Sequence, residues 1–471
     1  MLPGKQGLQR NILSVPNGIA MAAAAMAPVL AVVLNAPAAA PLAGAALPLS
    51  FLIAFVSCGF VGNTVVQFSR KIHSSGSFYA FNSQALGSGA GFFTGWLFWI
   101  GYAVLAAGLF TAFGAFTHDY VQSTFNINLH WWVFSLFAMA LVFALSIRSI
   151  KASVQVDLVL LALEVIIFLT LAIVAIAKAG DGNSLTYFGP ASSPGGWSGV
   201  GLGAVFGILS FIGFDAAATL GEETKNPERN VPIAVGGALG GVGVFYVFVM
   251  YALAAGYKLN GSGSLKAFTQ DANPFVTLAH QYTPWLLQPV ELAAIAGLFS
   301  CFLALHNTTV RIMFAMGRDR ILPASFGTVH PVWSSPYQAI VGQTVFTVII
   351  GLTAGSWLGP GATGAYGFTG AIGTVAIVLV YIASNIGLIR YFWRLRERNT
   401  WTHVVLPLLG IAALGYPLYV VVQPGQAYPY NLVPLVVGLW IVAGTVLLAY
   451  FRARSPEKVA ALGTFSVTDT E

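Results

Sequence analysis

Apolar and polar residues occur along this chain in long blocks. Twelve apolar windows of about 20 residues, each long enough to cross a bilayer as a helix, are separated by shorter polar connections. The windows are 16–35, 48–68, 90–116, 131–149, 155–177, 199–219, 232–256, 286–314, 337–356, 366–390, 403–422 and 431–451. This pattern predicts an all-α integral membrane protein with twelve transmembrane helices and both termini on one side.

The composition agrees with a membrane protein and excludes other classes. Hydrophobic residues make up 57% of the chain and charged residues 8%, with a mean hydropathy of +0.79, whereas a soluble domain carries roughly 25% charged residues. Cys58 and Cys301 lie in apolar runs, where buried free thiols are common, so we expect no disulfide and no metal site. With no nucleophile–base arrangement or phosphate-binding loop, the sequence predicts neither an enzyme nor a cofactor.

Lysine and arginine residues are distributed unevenly between the two sides of the predicted bundle. One side has three, Lys178, Lys258 and Lys266. The other has eighteen: Lys5, Arg10, Arg70, Lys71, Arg148, Lys151, Lys225, Arg229, Arg311, Arg318, Arg320, Arg390, Arg394, Arg396, Arg398, Arg452, Arg454 and Lys458. Because basic loops remain in the cytoplasm, we expect cytoplasmic tails at 1–15 and 453–471 in a cell-membrane protein. Orientation thus explains the net charge of +6 without a nucleic-acid partner.

The first apolar run is not followed by a small-residue cleavage site. We therefore expect it to be a retained helix rather than a signal peptide.

Two of the predicted helices are interrupted near membrane depth. The first window contains Pro28, and proline removes an amide donor and clashes with the preceding helical turn. The sixth window contains Gly213 two residues before Asp215. Kinks at Pro and Gly are also ordinary in membrane helices. Interruptions at corresponding places in two halves, with an intramembrane acid added, favour a transporter binding site.

Four stretches of sequence together resemble a known family of transporters, the amino acid–polyamine–organocation (APC) superfamily. The resemblance covers about residues 15–390 and is strongest around the sixth window. The matching residues are Ser75, Gly76 and Tyr79; Ile150, Lys151 and Ala152; Phe211, Gly213, Asp215, Glu222, Glu223, Asn226, Pro227, Arg229 and Pro232; and Arg311, Arg318, Asp319, Leu322, Pro323, His330 and Pro331.

The resemblance implies a fold and a domain organisation. Superfamily members have a LeuT-like, five-plus-five inverted repeat with discontinuous helices 1 and 6, to which this chain would add two C-terminal helices. We therefore expect repeats at 16–180 and 181–395 and the additional helices at 396–452. The chain departs from the family at the first break, where many members have Gly-Ser/Ala-Gly and this chain has alanines, Met26 and Pro28.

The paired breaks predict where a zwitterionic substrate would bind. Unwound helices expose amides and carbonyls that have lost their intrahelical partners, and half-helix N-termini favour a carboxylate. We expect the substrate carboxylate at amides near Ala24, Ala25, Met26 and Ala27. We expect its ammonium at carbonyls around Phe211, Ile212, Gly213 and Phe214.

Three side chains are candidates for the pocket that holds the substrate side chain. Trp99 is one, with ordinary bundle packing as the alternative. Leu209 and Leu305 fall near positions where arginine-handling relatives carry aromatic residues. Their aliphatic character favours a neutral amino acid.

Four ionisable or hydroxyl residues are candidates for ion coupling. Asp215 is interpreted as a proton carrier, a partner for a cationic substrate, or a structural acid. Glu164 lies where several relatives carry a lysine in place of a bound sodium ion, so it is a proton or sodium candidate, or a neutral acid bonded to a carbonyl. Thr308 and Thr309 are candidate sodium ligands, although membrane-helix threonines commonly bond their own i−4 carbonyl.

The polar run after the sixth window predicts an inner-gate loop on the cytoplasmic side. Its candidate residues are Glu222, Glu223 and Arg229. We expect its acids to pair with one or more of Arg70, Arg148 and Arg318, with a solvated loop as the alternative.

The sequence therefore favours a secondary active transporter of neutral amino acids, proton-coupled and working by alternating access. The alternatives are a polyamine or organic-cation transporter, an amino acid exchanger, and an amino acid sensor that signals without net transport. The expected partners are an amino acid, a proton or sodium ion, and the lipid bilayer; no protein partner can be inferred.

Overall fold

The computed structural model describes residues 8–148, 150–261, 263–271, 273–395 and 398–455. Seventeen α-helices, joined by short 3₁₀ and π turns, account for most of these residues. They are α1 (Val15–Met26), α2 (Pro28–Leu30), α3 (Ala36–Ala43), α4 (Leu47–Ser69), α5 (Phe78–Leu86), α6 (Ser88–Phe125), α7 (Trp131–Arg148), α8 (Ile150–Lys178), α9 (Gly196–Phe211), α10 (Pro227–Gly256), α11 (Ser264–Gln270), α12 (Pro274–Tyr282), α13 (Leu287–Arg318), α14 (Tyr337–Leu358), α15 (Gly367–Leu395), α16 (Leu406–Val422) and α17 (Val433–Arg454).

Eleven helical stretches among the described residues are long and apolar enough to cross a membrane. Ten of them overlap the last ten predicted windows. The first, Val15–Ser69, has 55 residues and contains both of the first two windows. At 1.5 Å per residue it would span about 80 Å as one straight helix, against a hydrocarbon thickness of about 30 Å. The chain is a multi-pass helical membrane protein, and the count of twelve spans stays a prediction.

The direction of this first stretch changes after α3. Gly44 has φ +60° and a 3₁₀ turn, Gly44–Ala46, leads into α4. A Cβ on Gly44 would lie 2.4 Å from Pro194 Cδ, so both the backbone conformation and the contact require glycine there.

The centre of the bundle is built from helices that pack closely through small residues. Every residue of α1 from Ala20 to Met26 is buried, and α1 packs against α8, α10 and α13. A Cβ on Gly18 would lie 2.7 Å from that of Ala234 on α10, which shows how closely the two backbones approach. This close packing holds the interrupted first helix inside the molecule.

The outer helices expose apolar side chains. Side chains that are more than half exposed include Val159, Leu163 and Ile166 on α8. On α17 they include Leu435, Leu439 and Val446. Such a surface suits lipid rather than water.

The predicted boundaries between repeats, tails and additional helices stay predictions. Of the predicted cytoplasmic tails, residues 1–7 and 456–471 lie outside the described residues, as do Arg396 and the basic tail residues Lys5 and Lys458.

Candidate functional site

The first helix is interrupted at Ala27, one residue before Pro28. Ala27 has φ +49° and ψ +72°, a left-handed conformation that ends α1 and starts α2. Its N–H is donated to the Ala24 carbonyl at 2.9 Å. The amides of Ala24, Ala25 and Met26 lie within α1.

The predicted carboxylate-binding amides, Ala24 to Ala27, are therefore engaged in helical hydrogen bonds. The first amides after the break that lack an intrahelical partner belong to Val29 and Leu30, because Pro28 has no N–H. The break frees donors on its C-terminal side, and the assignment of the substrate carboxylate to the amides of Ala24 to Ala27 stays a prediction.

The sixth predicted span is interrupted at Gly213. Helix α9 ends at Phe211, Ile212 is extended with ψ 126°, and Gly213 has φ +116°. A Cβ on Gly213 would lie 2.6 to 2.8 Å from three atoms of Ala25, two of them backbone. The two breaks are therefore in direct contact, and only glycine fits between them.

Tyr246 of α10 joins the two breaks. Its hydroxyl lies 2.7 Å from the Met26 carbonyl and 2.9 Å from the Ser210 carbonyl, and its single proton can be donated to one of them at a time. On the other side of the breaks, Asn35 Nδ2 donates to Ser210 Oγ at 2.9 Å. Sequence reasoning missed Tyr246 because one tyrosine in an apolar run looks like ordinary packing.

A small cavity, which we call the closed cavity because it is too small for a substrate, lies at the meeting point of the breaks. It has about 30 Å³ of free space, room for about one water molecule, so a substrate needs this cavity to expand. It is lined mainly by aliphatic side chains: Ala25, Met26, Ala27, Leu30, Ala31, Asn35, Leu105, Leu109, Leu209, Ser210, Ile212, Cys301, Leu305 and Tyr366. Of the predicted substrate residues it includes Ala25, Met26, Ala27, Leu209, Ile212 and Leu305.

The other predicted substrate residues do not line this cavity. Phe211 packs on Tyr246, with ring centroids 5.0 Å apart, and Phe214 packs on Tyr381 at 5.4 Å. The Ala24 carbonyl accepts from the Ala27 N–H within the first break, and Gly213 contacts Ala25 across the two breaks.

Trp99 does not line this cavity, and its assignment to the substrate pocket stays a prediction. It packs instead against Trp96, Phe346 and Trp440. At about 100° per residue, Trp99 is turned roughly 80° away from Leu109, the nearer of the two α6 leucines that line the cavity. Aromatic spacing alone did not reveal which face of α6 points inward.

Asp215 is buried beside the second break and is held by two tyrosines. Its Oδ1 accepts hydrogen bonds from Tyr102 of α6 at 2.9 Å and from Tyr381 of α15 at 2.6 Å. Its Oδ2 is buried without a hydrogen-bond partner among the described residues. One oxygen is thus fixed by the protein and the other is available for a proton.

Glu164 lies on α8, facing α13. Both carboxyl oxygens are buried without a described hydrogen-bond partner, and a Cβ on Gly297 would lie 2.3 Å from Oε2. Two turns earlier on α8, Asp157 Oδ1 accepts from Ser300 at 3.1 Å. The absence of a side chain at Gly297 makes room for the Glu164 carboxyl.

The hydroxyls of Thr308 and Thr309 bond within their own helix. They donate to the carbonyls of Ala304 at 2.9 Å and Leu305 at 2.8 Å. Each hydroxyl oxygen still has lone pairs that could coordinate a cation, so these hydrogen bonds neither support nor contradict the sodium hypothesis.

The acidic loop forms two ion pairs with α13. Glu222 makes two contacts with Arg318, at 2.5 and 2.9 Å, and accepts from the Ser75 amide at 2.8 Å. Glu223 Oε2 accepts from Arg311 Nε at 2.9 Å and Nη2 at 2.7 Å, and both side chains are 3% exposed.

The electrostatics of Glu222 are set by opposing effects. Burial would raise the pKa of its carboxyl, but the Arg318 guanidinium and the Ser75 amide outweigh burial and hold that pKa below its ordinary value. The carboxylate form is the stable one in this pair.

The segment that precedes α1 is hydrogen-bonded to the backbone of the acidic loop. Leu13 is fully buried, its N–H donates to the Glu223 carbonyl at 3.1 Å, and its carbonyl accepts from the Lys225 N–H at 2.9 Å. The first helix is thereby connected to the acidic loop.

Arg229 is not part of these two ion pairs, and its role in a gate loop stays a prediction. It lies in the first turn of α10, which begins at Pro227, and its side chain is exposed. Arg318 was predicted as a partner for the acids, whereas Arg311 was not.

An interrupted pair of membrane helices around a closed cavity, with a buried acid beside it, defines a membrane transporter site. The sequence comparison agrees, since the family profile described as "Amino acid permease" matches residues 13–445. The chain belongs to this family of the APC superfamily, which consists of membrane permeases rather than enzymes.

Individual relatives transport different small molecules according to their names. The methylthioribose transporter of Bacillus subtilis (strain 168) is 29% identical over 65% of this chain and 67% of its own length. The branched-chain amino acid permease BcaP of the same organism is 26% identical over 63% and 65%. The low-affinity putrescine importer PlaP of Escherichia coli (strain K12) is 26% identical over 86% and 85%. The chain thus aligns with about two thirds of the length of the first two relatives. The names of the three relatives give three different small molecules, so they do not identify one substrate class.

Proposed function

We propose that this protein is a proton-coupled secondary transporter of neutral amino acids across the cell membrane. The observation that carries the proposal is the contact between the two helix breaks at Ala25 and Gly213, around a cavity lined mainly by aliphatic side chains. The proposal includes a five-plus-five repeat of twelve spans with cytoplasmic termini, which the family resemblance supports.

The backbone around the breaks supplies one group for each pole of an amino acid. The amides of Val29 and Leu30 open α2 and would bind the carboxylate. Carbonyls near Phe211 and Ile212 would bind the ammonium. Leu209, Leu305 and Ile212 would surround an apolar substrate side chain, which gains about 25 cal/mol for each Å² of apolar surface buried.

Asp215 is our choice for the proton carrier. It touches α6 and α15 through the two tyrosine hydroxyls and lies two residues from the break. A proton on Oδ2 would remove a buried charge, so protonation and movement of the break are energetically linked. Glu164, together with Thr308 and Thr309, is the alternative coupling site, and a strict requirement for sodium would favour it.

The two ion pairs on the acidic loop are our choice for the inner gate. Glu222 and Glu223 tie the loop after the second break to α13 through Arg318 and Arg311. Opening toward the cytoplasm would have to separate these pairs, and alternating access would re-form them in each cycle.

Transport of organic cations is the second candidate, because the putrescine importer aligns with more of this chain than the other relatives described above. Uptake of radiolabelled leucine into proteoliposomes, with unlabelled isoleucine, lysine or putrescine as competitor, separates the two. We expect leucine uptake above that of protein-free liposomes, with competition by isoleucine alone. Uptake of radiolabelled putrescine without uptake of leucine, or leucine uptake that putrescine suppresses and isoleucine does not, would contradict the neutral-substrate proposal.

A further inference from the structure

A second and larger cavity lies at the end of the bundle opposite the acidic loop. It has about 450 Å³ of free space between the C-terminal end of α6, the N-terminal part of α13 and the start of α12. This is enough volume for a small organic molecule. We refer to it as the outer cavity.

The charged side chains that line the outer cavity are all acidic. Asp119 and Glu291 line it, and no lysine, arginine or histidine does. Within the described residues neither carboxyl has an ion-pair or hydrogen-bond partner. Of the three lysines on this side, Lys258 pairs with Asp181, Lys178 donates to a carbonyl, and Lys266 does not line the cavity. Unpaired carboxylates in a concave site concentrate cations there.

The rest of the lining is mostly aromatic and aliphatic, with Tyr120, Ser123 and Asn273 as its polar members. Phe116, Phe168 and Phe275 supply rings, and Val33 and Leu34 supply apolar surface. Rings attract ammonium groups through their negative faces, whereas a bare metal ion needs several oxygen ligands. The combination suits an organic ammonium with an apolar body, such as the amino end of an amino acid or an alkyl amine.

The outer cavity is separated from the closed cavity by a single stretch of backbone. In residues 28–35, Val33 and Leu34 face the outer cavity, while Leu30, Ala31 and Asn35 face the closed one. A molecule in the outer cavity is therefore next to the half-helix that would bind its carboxylate.

We propose that the outer cavity is a first binding site for the ammonium-bearing substrate, held by Asp119 and Glu291 before the breaks open. The assignment of its ligand as the transported substrate rests on the proposed function. The binding itself does not, so it can be measured separately.

The binding test uses a cysteine placed in the outer cavity. In a variant with Cys58→Ser and Cys301→Ser, Ser123→Cys places one thiol on the cavity wall. We expect n-butylammonium to slow the reaction of this thiol with a methanethiosulfonate reagent, and butyrate to leave it unchanged. The protection should disappear on adding Asp119→Asn and Glu291→Gln. Equal labelling with and without butylammonium would overturn the site.

The transport test uses the same two neutral substitutions in the otherwise natural chain. Removing one charge should weaken binding about 2- to 5-fold at a partly exposed site, so removing both should raise KM about 4- to 25-fold with kcat unchanged. High ionic strength should raise the wild-type KM toward that of the variant. Asp181→Asn is the matched control, since this exposed acid pairs with Lys258 and does not line the cavity.

The two tests fail in distinguishable ways. An unchanged KM in the double variant, with active wild-type protein, would overturn the outer site and leave the transport function intact. Protection of the thiol without uptake of any amino acid or amine would support the site and count against the proposed function.

Discussion

At the scale of single residues, the account depends on how buried acids are held. Asp215 has two hydroxyl donors on one oxygen and none on the other, while Glu222 and Glu223 have arginine partners. The sequence indicated the acids and one partner, Arg318, but not Tyr102 and Tyr381, because these tyrosines come from helices distant in the chain. The residues around a tyrosine in an apolar run do not indicate whether its hydroxyl hydrogen-bonds to another helix or its ring only packs there.

Removing one of the two tyrosine hydroxyls that donate to Asp215 should impair proton coupling. Tyr381→Phe deletes the 2.6 Å hydrogen bond and leaves a buried carboxylate less satisfied, which costs about 1 to 3 kcal/mol. We expect lower thermal stability in detergent and reduced gradient-driven uptake. Tyr251→Phe is the control, since its hydroxyl makes only a 3.4 Å contact with an exposed asparagine. Equal behaviour of the two variants would show that the tyrosine does not support Asp215.

The pair between Glu222 and Arg318 should be insensitive to pH near neutrality. A carboxyl whose folded pKa is lowered stabilises the fold above its ordinary pKa and loses that contribution as pH falls through the folded value. Glu222→Gln should therefore cost about 3 kcal/mol, constant above about pH 5 and diminishing below about pH 4. Glu228→Gln, an exposed acid on the same side, should change little. A stability difference that vanishes between about pH 5 and 7 would contradict a lowered pKa.

At the scale of elements, the apolar windows and the two interruptions were visible in the sequence. Every window overlaps a long apolar helix, and the breaks occur at Ala27 and Gly213, next to the residues that signalled them. The direction of side chains around a helix was not visible, so the sequence could not show that Trp99 lies outside the cavity and Arg229 outside the ion pairs. Helix rotation is set by packing partners, and these are unknown before the fold is built.

The contact between the breaks gives a stringent test at this scale. Gly213→Ala introduces a Cβ within 2.8 Å of Ala25 backbone atoms at φ +116°, so both strain and overlap oppose it. We expect a loss of about 3 kcal/mol or more, seen as a lower melting temperature and loss of uptake. Gly240→Ala on α10 has no neighbour within 4 Å and should be neutral or slightly stabilising. Matching melting temperatures for the two variants would show that the breaks are not in close contact.

At the scale of the whole molecule, the structure is closed around the breaks. The cavity between them has about 30 Å³ of free space, and both ion pairs of the acidic loop are formed. The larger outer cavity lies on the other side of residues 28–35. In the proposed orientation, the outer cavity faces the outside, the closed cavity lies in the middle, and the ion pairs of the acidic loop face the cytoplasm.

The central claim is that a proton on Asp215 drives transport through the paired breaks. The most direct measurement is leucine uptake into proteoliposomes with an imposed pH gradient, for the wild-type protein and for Asp215→Asn, alongside leucine exchange without a gradient. The account predicts that the gradient accelerates wild-type uptake several-fold and leaves Asp215→Asn uptake unchanged, while the variant retains exchange. Equal acceleration of both proteins by the gradient would contradict it.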